Sequence, residues 1–201
     1  MSAIQNRIHV EFADLFQPID NPGARAVLQL LASPPPNELI GNVYVLPYIG
    51  DDWIYIVEEN RGPKFPGGKI EPQENYMNAA RRELQEEAGA ELINYTVFAA
   101  WYTHSKSEKP HRPHLPHPVS YGLLGYGEVA LTGEPTNPEG AGKTVSVKQG
   151  QLSDVVKEFT ADQLSGMSTY CGQLYRMAAR LRALAGKPSH AADCEDAAAD
   201  A

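Results

Sequence analysis

A chain of 201 residues, 42% hydrophobic and 21% charged, is long enough for one core-forming domain with appendages. Its formal net charge of −8 and its lack of a basic cluster argue against broad nucleic-acid binding, so any affinity for a polyanion must be local. No apolar run approaches membrane-spanning length, no basic-then-apolar leader opens the chain, and Cys171 and Cys194 make neither a disulfide framework nor a metal set, which points to a cytoplasmic protein.

Residues 1–39 read as an N-terminal extension serving substrate selection or a homodimer contact. Within it, residues 8–12 look like a strand and residues 24–32, bounded by Pro22-Gly23 and Pro34-Pro35-Pro36, like a short helix. Residues 42–49 and 53–57 are β-branched and aromatic runs joined by Gly50-Asp51-Asp52, which predicts a hairpin. Pro66-Gly67-Gly68 is a turn signal. Residues 77–88 are rich in good helix formers, with Gly89 where a C-terminal cap belongs.

Residues 95–102 and 119–131 read as further strands. The glycines of the second mark bulges or close backbone approach. A Gly/Pro-rich loop at 136–142 precedes strand-like residues 144–147. Helices are expected over 150–160 and 161–185, the latter capped at Thr160 or Asp162 and carrying Leu164, Met167, Leu174, Met177, Leu181 and Leu184. The main domain therefore spans 40–185, and residues 186–201, without a core-forming pattern, read as a disordered tail.

The chemistry concentrates between Gly68 and Ala90. Gly68, Glu74, Arg82, Glu83, Leu84, Glu86, Glu87 and Gly89 stand at offsets that chance would produce with a likelihood of about 10⁻⁷ in a chain of this length. On a helix, Met77, Ala80, Leu84 and Ala88 form one apolar stripe, while Glu83, Glu86 and Glu87 fall within a sector of about 100° beside it. Like charges three and four apart repel, and carboxylates near a helix C-terminus oppose its dipole. A divalent cation would compensate both terms. Oxygen-only ligands suit Mg²⁺ first and Mn²⁺ second.

The spacing resembles the signature of the Nudix hydrolases, matching it at every defining position but the last, where Ala90 stands in place of a larger aliphatic. The resemblance implies an α/β fold, an α/β/α sandwich with a mixed β-sheet, and hydrolysis of a nucleoside diphosphate linked to another group. It implies metal ligation by Glu83, Glu86, Glu87 and the Gly68 carbonyl, with Arg82 orienting the carboxylates and Glu74 as its ion-pair partner. Glu86 or Glu87 is the first choice for metal chemistry. Glu139 is the leading loop candidate for the base, and Glu128 stands behind it.

Outside this stretch, Arg61 and Lys64 are placed to reach a substrate phosphate. Residues 103–118 form a polar insertion in which Lys106, Lys109 and Arg112 are phosphate candidates, and His111, His114 and His117 are spaced by prolines that disfavour a shared metal site. Trp101 and Tyr102 could stack on a base or belong to the core. The expected partner is a nucleoside diphosphate-linked small molecule, with nucleotides favoured. The alternative is a non-catalytic Nudix-like domain that binds a nucleotide metabolite. Isomerase chemistry on a prenyl diphosphate is disfavoured, because neither cysteine is near the motif.

Overall fold

The computed structural model describes residues 3–138, 142–161 and 168–186. Glu139, Asp162, Leu164, Met167, Cys194 and the tail from 187 lie outside the described residues. The helices are α1 (Ala3–Glu11), α2 (Tyr76–Ala88), α3 (Leu152–Ala161) and α4 (Ser168–Ala185). The strands are β1 (Ile19–Asp20), β2 (Ala24–Leu30), β3 (Ile40–Ile49), β4 (Asp52–Glu58), β5 (Gly62–Lys64), β6 (Gly67–Lys69), β7 (Ala90–Leu92), β8 (Thr96–Ser105), β9 (Val119–Leu131) and β10 (Thr144–Gly150).

They build a mixed sheet in the order β1-β2-β8-β9-β3-β4-β10, with β5 on β4, β6 on β3 and β7 on β9. Among the described strands, only β3 and β9 pair in parallel. The predicted hairpin forms at Gly50 but is brief: β3 and β4 pair through Tyr48↔Trp53 and Ile49↔Asp52, then part. That parting lets β6 and β5, one on each strand, bring the glycine turn to the middle of the sheet.

Period-two alternation sorts the side chains into two cores. Val43, Val45, Ile54, Ile56 and Leu123 pack beneath Ala79, Ala80, Leu84 and Ala88 of α2. Leu46, Tyr48, Trp53, Tyr55 and Leu124 face the other way, under Ile8 of α1, Phe159 of α3 and Leu174, Tyr175 and Met177 of α4. The result is the expected α/β/α sandwich. The last helix is fastened by polar contacts as well: Tyr175 donates to the Ile54 carbonyl at 2.6 Å, and Arg182 donates to the Gly50 carbonyl at 2.7 Å while lying over the Tyr48 ring. No helix among the described residues is long and apolar enough to cross a membrane.

Two expectations in the N-terminal segment are corrected. Residues 8–11 belong to α1, not to a strand, because Ile8, Phe12, Leu15 and Phe16 enter one core at helical spacing, a period longer than the five-residue window that suggested alternation. Residues 24–30 form a strand, not a helix: β2 pairs along its whole length with β8, from Ala24↔Ser105 to Leu30↔Ala99. An available sheet edge outweighs the helix preference of an Ala/Leu/Gln/Arg run. The glycines of β9 meet the close-approach expectation, since a Cβ at Gly125 would collide with the Tyr95 ring.

Candidate active site

Helix α2 begins where Asn75 accepts from the Asn78 amide at 2.9 Å and ends at Gly89 in the left-handed conformation, φ 59°. Its apolar stripe rests on β3 and β4, which turns Glu83, Glu86 and Glu87 toward β5 and β6. Glu83 and Glu87 are buried, 7% and 6% exposed, whereas Glu86 is half-buried. A Cβ on Gly68 would collide with the Glu83 carboxylate, so only glycine lets that acid lie against the β6 backbone.

Arg82 ties one half of the site. Its Nε and Nη2 donate to the two oxygens of Glu74, each at 3.0 Å, and its Nη1 donates to Glu83 at 2.8 Å and Glu86 at 3.2 Å. A further bond reaches the Lys69 carbonyl at 3.0 Å. The hydrogen bond to Glu74 leads in raising the Arg82 pKa still further. Burial pushes the Glu83 carboxyl above its usual range against the pull of Arg82, with Glu87 and Glu86 adding to the rise.

Lys64 ties the other half. Its ammonium donates to Glu87 at 2.8 Å and to Glu58 at 2.9 Å, and the second Glu87 oxygen accepts from the Gly67 amide at 2.8 Å. Burial would lower the Lys64 pKa, but the Glu87 and Glu58 carboxylates outweigh it and hold it above normal. Glu58, 5% exposed, was not singled out from the sequence. Its only trace there is an acid closing an apolar strand. Two described residues further along the chain reach the site too: the Asn137 amide donates to the Glu86 carbonyl at 3.3 Å, and Gly142 abuts Glu58.

Among the described residues, no three acid, histidine or cysteine side chains converge as a ready-made metal set. The compensation the sequence assigned to a cation is supplied here by Arg82 and Lys64. It is incomplete: Glu58, Glu74, Glu83, Glu86 and Glu87 face Arg61, Lys64 and Arg82, which leaves two negative charges over. Hard oxygen donors with excess negative charge have the chemistry to take up a divalent cation.

A cleft of about 850 Å³ opens against Gly67, Gly68 and Lys64. Tyr44, Phe65 and Trp101 supply aromatic walls, and Asn21, Asn42 and Asn60 supply amides. The indole of Trp101 is fixed by donation to Tyr170 at 3.1 Å, whereas Tyr102 packs edge-on against Tyr121 at 5.4 Å. Arg61 and Arg112 line the cleft; Lys106 is tied instead to Asp20 and to the Asn21 carbonyl, and Lys109 is not part of the lining. Glu128 is held by Asn94 at 3.1 Å, on the strand that pairs with β7. The three histidines diverge: His111 lines the cleft beside Gly23, His114 bonds Asn42 at 3.2 Å, and His117 bonds the Ser107 carbonyl at 3.0 Å. Cys171 also borders the cleft, but burial pushes its thiol up to about 12, far from a nucleophile's range.

Residues 41–168 match the NUDIX domain family model. The chain belongs to the Nudix family. YtkD of Bacillus subtilis (strain 168), named as a candidate 8-oxo-dGTP diphosphatase, is 45% identical over 51 residues, a match that covers 25% of this chain and only 32% of YtkD. In fold, the chain is similar to a mutant form of the Bacillus subtilis pyrophosphohydrolase BsRppH, with a TM-score of 0.59 and 20% identity over 80% of this chain and 93% of that one. It is also similar to an ADP compounds hydrolase, with a TM-score of 0.50 and 17% identity over 72% and 74% of the two chains. These likenesses concern the Nudix fold; the β1–β2 extension that walls the cleft begins ahead of the matched family domain.

Proposed function

We propose that this Nudix protein is a metal-dependent pyrophosphohydrolase acting on a nucleoside diphosphate derivative. The observation that carries the reading is the placing of one aromatic and amide-lined cleft against Lys64, Gly67 and Gly68, the residues on which the buried Glu83 and Glu87 carboxylates of the Nudix helix rest. A base has flat walls to stack on at one end, and a diphosphate has a charge-tuned site at the other.

In this reading Glu83, Glu86, Glu87 and the Gly68 carbonyl hold Mg²⁺, or Mn²⁺ in its place. The bound ion would neutralise phosphate oxygens and make water a better nucleophile. Water attacks one phosphorus and the bridging P–O bond breaks, giving a nucleoside monophosphate and a phosphorylated remainder, or pyrophosphate from a triphosphate. Arg82 keeps Glu83 and Glu86 in place through its fork to Glu74. Glu86 or Glu87 receives the water proton, with Glu139 the loop candidate. Arg61 and Arg112 flank the phosphates. The names of YtkD and of the ADP compounds hydrolase are in keeping with a nucleotide-derived substrate.

The test is product chromatography on nucleoside di- and triphosphates, nucleotide sugars, dinucleoside polyphosphates and capped RNA, each with Mg²⁺, Mn²⁺ or EDTA. Metal-dependent cleavage of one class is the expected result. Binding of a nucleotide with no turnover under any metal would replace the enzyme with a non-catalytic binding domain.

A further inference from the structure

Lys64 stands between two acids that differ in what they serve. Glu87 is a Nudix-helix carboxylate whose other oxygen is fixed by the Gly67 amide at 2.8 Å. Glu58, at the end of β4, is outside the motif, and its other oxygen meets Arg61, a side chain 73% exposed, at 3.2 Å. Two carboxylates buried this deeply are strongly unfavourable without a cation beside them. Lys64 satisfies both, from the wall of the cleft.

We propose that Lys64 is a tethered counter-ion that competes with a divalent cation for Glu87, and that Glu58 is its holding position. This rests on the reading of Glu87 as a metal ligand. With no divalent ion on Glu87, the ammonium bridges both acids. When one binds, like charges cannot share that oxygen, and Lys64 gives up its Glu87 pair while keeping the one to Glu58. Two features suit that exchange. Lys64 already has its second acceptor within hydrogen-bond distance, so the shift needs no new partner. Gly142 lies against the Glu58 carboxylate and Arg61 engages its other oxygen, so the holding position is already formed.

In the withdrawn position Lys64 still faces the cleft, with one donor fewer engaged and free to meet a phosphate oxygen of the substrate. The device limits metal affinity in the empty site and adds a cation next to the substrate once the metal is in place.

The test is Mn²⁺ titration of the full chain without substrate, reading free Mn²⁺ by electron paramagnetic resonance. Lys64→Met is expected to tighten Mn²⁺ binding about tenfold, within the usual range for coupled sites. Lys69→Met removes the same charge from an exposed side chain beside the site and should change binding far less. Glu58→Gln commits Lys64 to Glu87 and should weaken binding. Both effects should vanish in a Glu87→Gln background. If Lys64→Met matches Lys69→Met, or if Glu58→Gln binds like wild type, the counter-ion proposal is overturned; the second arm suffices should Lys64→Met not fold. If Glu87→Gln alone leaves Mn²⁺ binding unchanged, the metal-ligand reading itself falls.

Discussion

Arg82 grips Glu74 with two near-parallel hydrogen bonds, each 3.0 Å long, from a position eight residues further along the chain. The pair fixes the guanidinium that in turn holds Glu83 and Glu86. Burial alone would raise the Glu74 pKa, but the Arg82 hydrogen bonds, the Glu71 amide and the Arg82 charge together outweigh it and leave it below normal. A depressed carboxyl adds stability that is present above its unfolded value and is lost as pH falls through its folded value. Glu74→Gln should therefore cost about 1–3 kcal/mol at neutral pH, with the deficit closing below the ordinary carboxylate range. Urea unfolding of both proteins across pH 3–7 (roughly the span over which such carboxyls titrate) measures this, and a pH-independent difference would refute it.

Arg82→Lys keeps the charge but loses the planar fork. Supporting residues of this kind typically change activity or metal affinity by about 10–100-fold. The expected result is a loss of that size in kcat with a smaller change in KM, read by steady-state kinetics on whichever substrate the panel identifies.

Glu86→Gln and Glu87→Gln are isosteric and each removes one carboxylate charge. Turnover should drop by about 10²–10⁴-fold in at least one, with the far-ultraviolet circular dichroism spectrum unchanged. Near-normal Mg²⁺-dependent rates in both would remove them from the chemistry.

Gly68→Ala places a methyl group where the Glu83 carboxylate lies. Activity should fall sharply while the fold persists. Gly50→Ala provides the contrast: that turn glycine has φ 57° and open space around it, so the cost should be about 1 kcal/mol in stability and nothing in rate.

Arg112 lines the cleft while Lys106 is tied to Asp20 and Asn21. Arg112→Ala should raise KM by about 10-fold, the scale of one charge-assisted hydrogen bond, and Lys106→Ala should leave it near wild type. Equal effects from both would mean that the insertion acts only through its net charge.

Tyr175→Phe tests the C-terminal helix. Removing the hydroxyl leaves the buried Ile54 carbonyl without that donor, at a cost of about 1–3 kcal/mol. Thermal unfolding should show it, with catalysis unaffected.

The motif was legible because its logic is local. Glycine at the turn and a helix with three acids on one face are relations within a single turn-and-helix, where 3.6-residue periodicity fixes which helix side chains meet. The sandwich was legible for a related reason, since alternating apolar runs and short turns leave few ways to bury both faces of a sheet. Residues 8–12 and 24–32 were not, because five to nine residues hold too little periodicity to separate helix from strand; the core at Phe16 and the free edge of β8 decided them.

By itself, then, the sequence determined the Nudix helix and the shared face of its carboxylates, set by spacing along one stretch of backbone; the Glu74–Arg82 pair followed from the resemblance and is present in the structure. Only the tertiary structure decided that Glu58 joins Lys64 at Glu87, that Arg112 and not Lys106 reaches the cleft, and that Trp101 faces it while Tyr102 does not. Those meetings bring together residues from separate strands and loops, and strand pairing with its register, not proximity in sequence, is what carries side chains so far apart in the chain to one place.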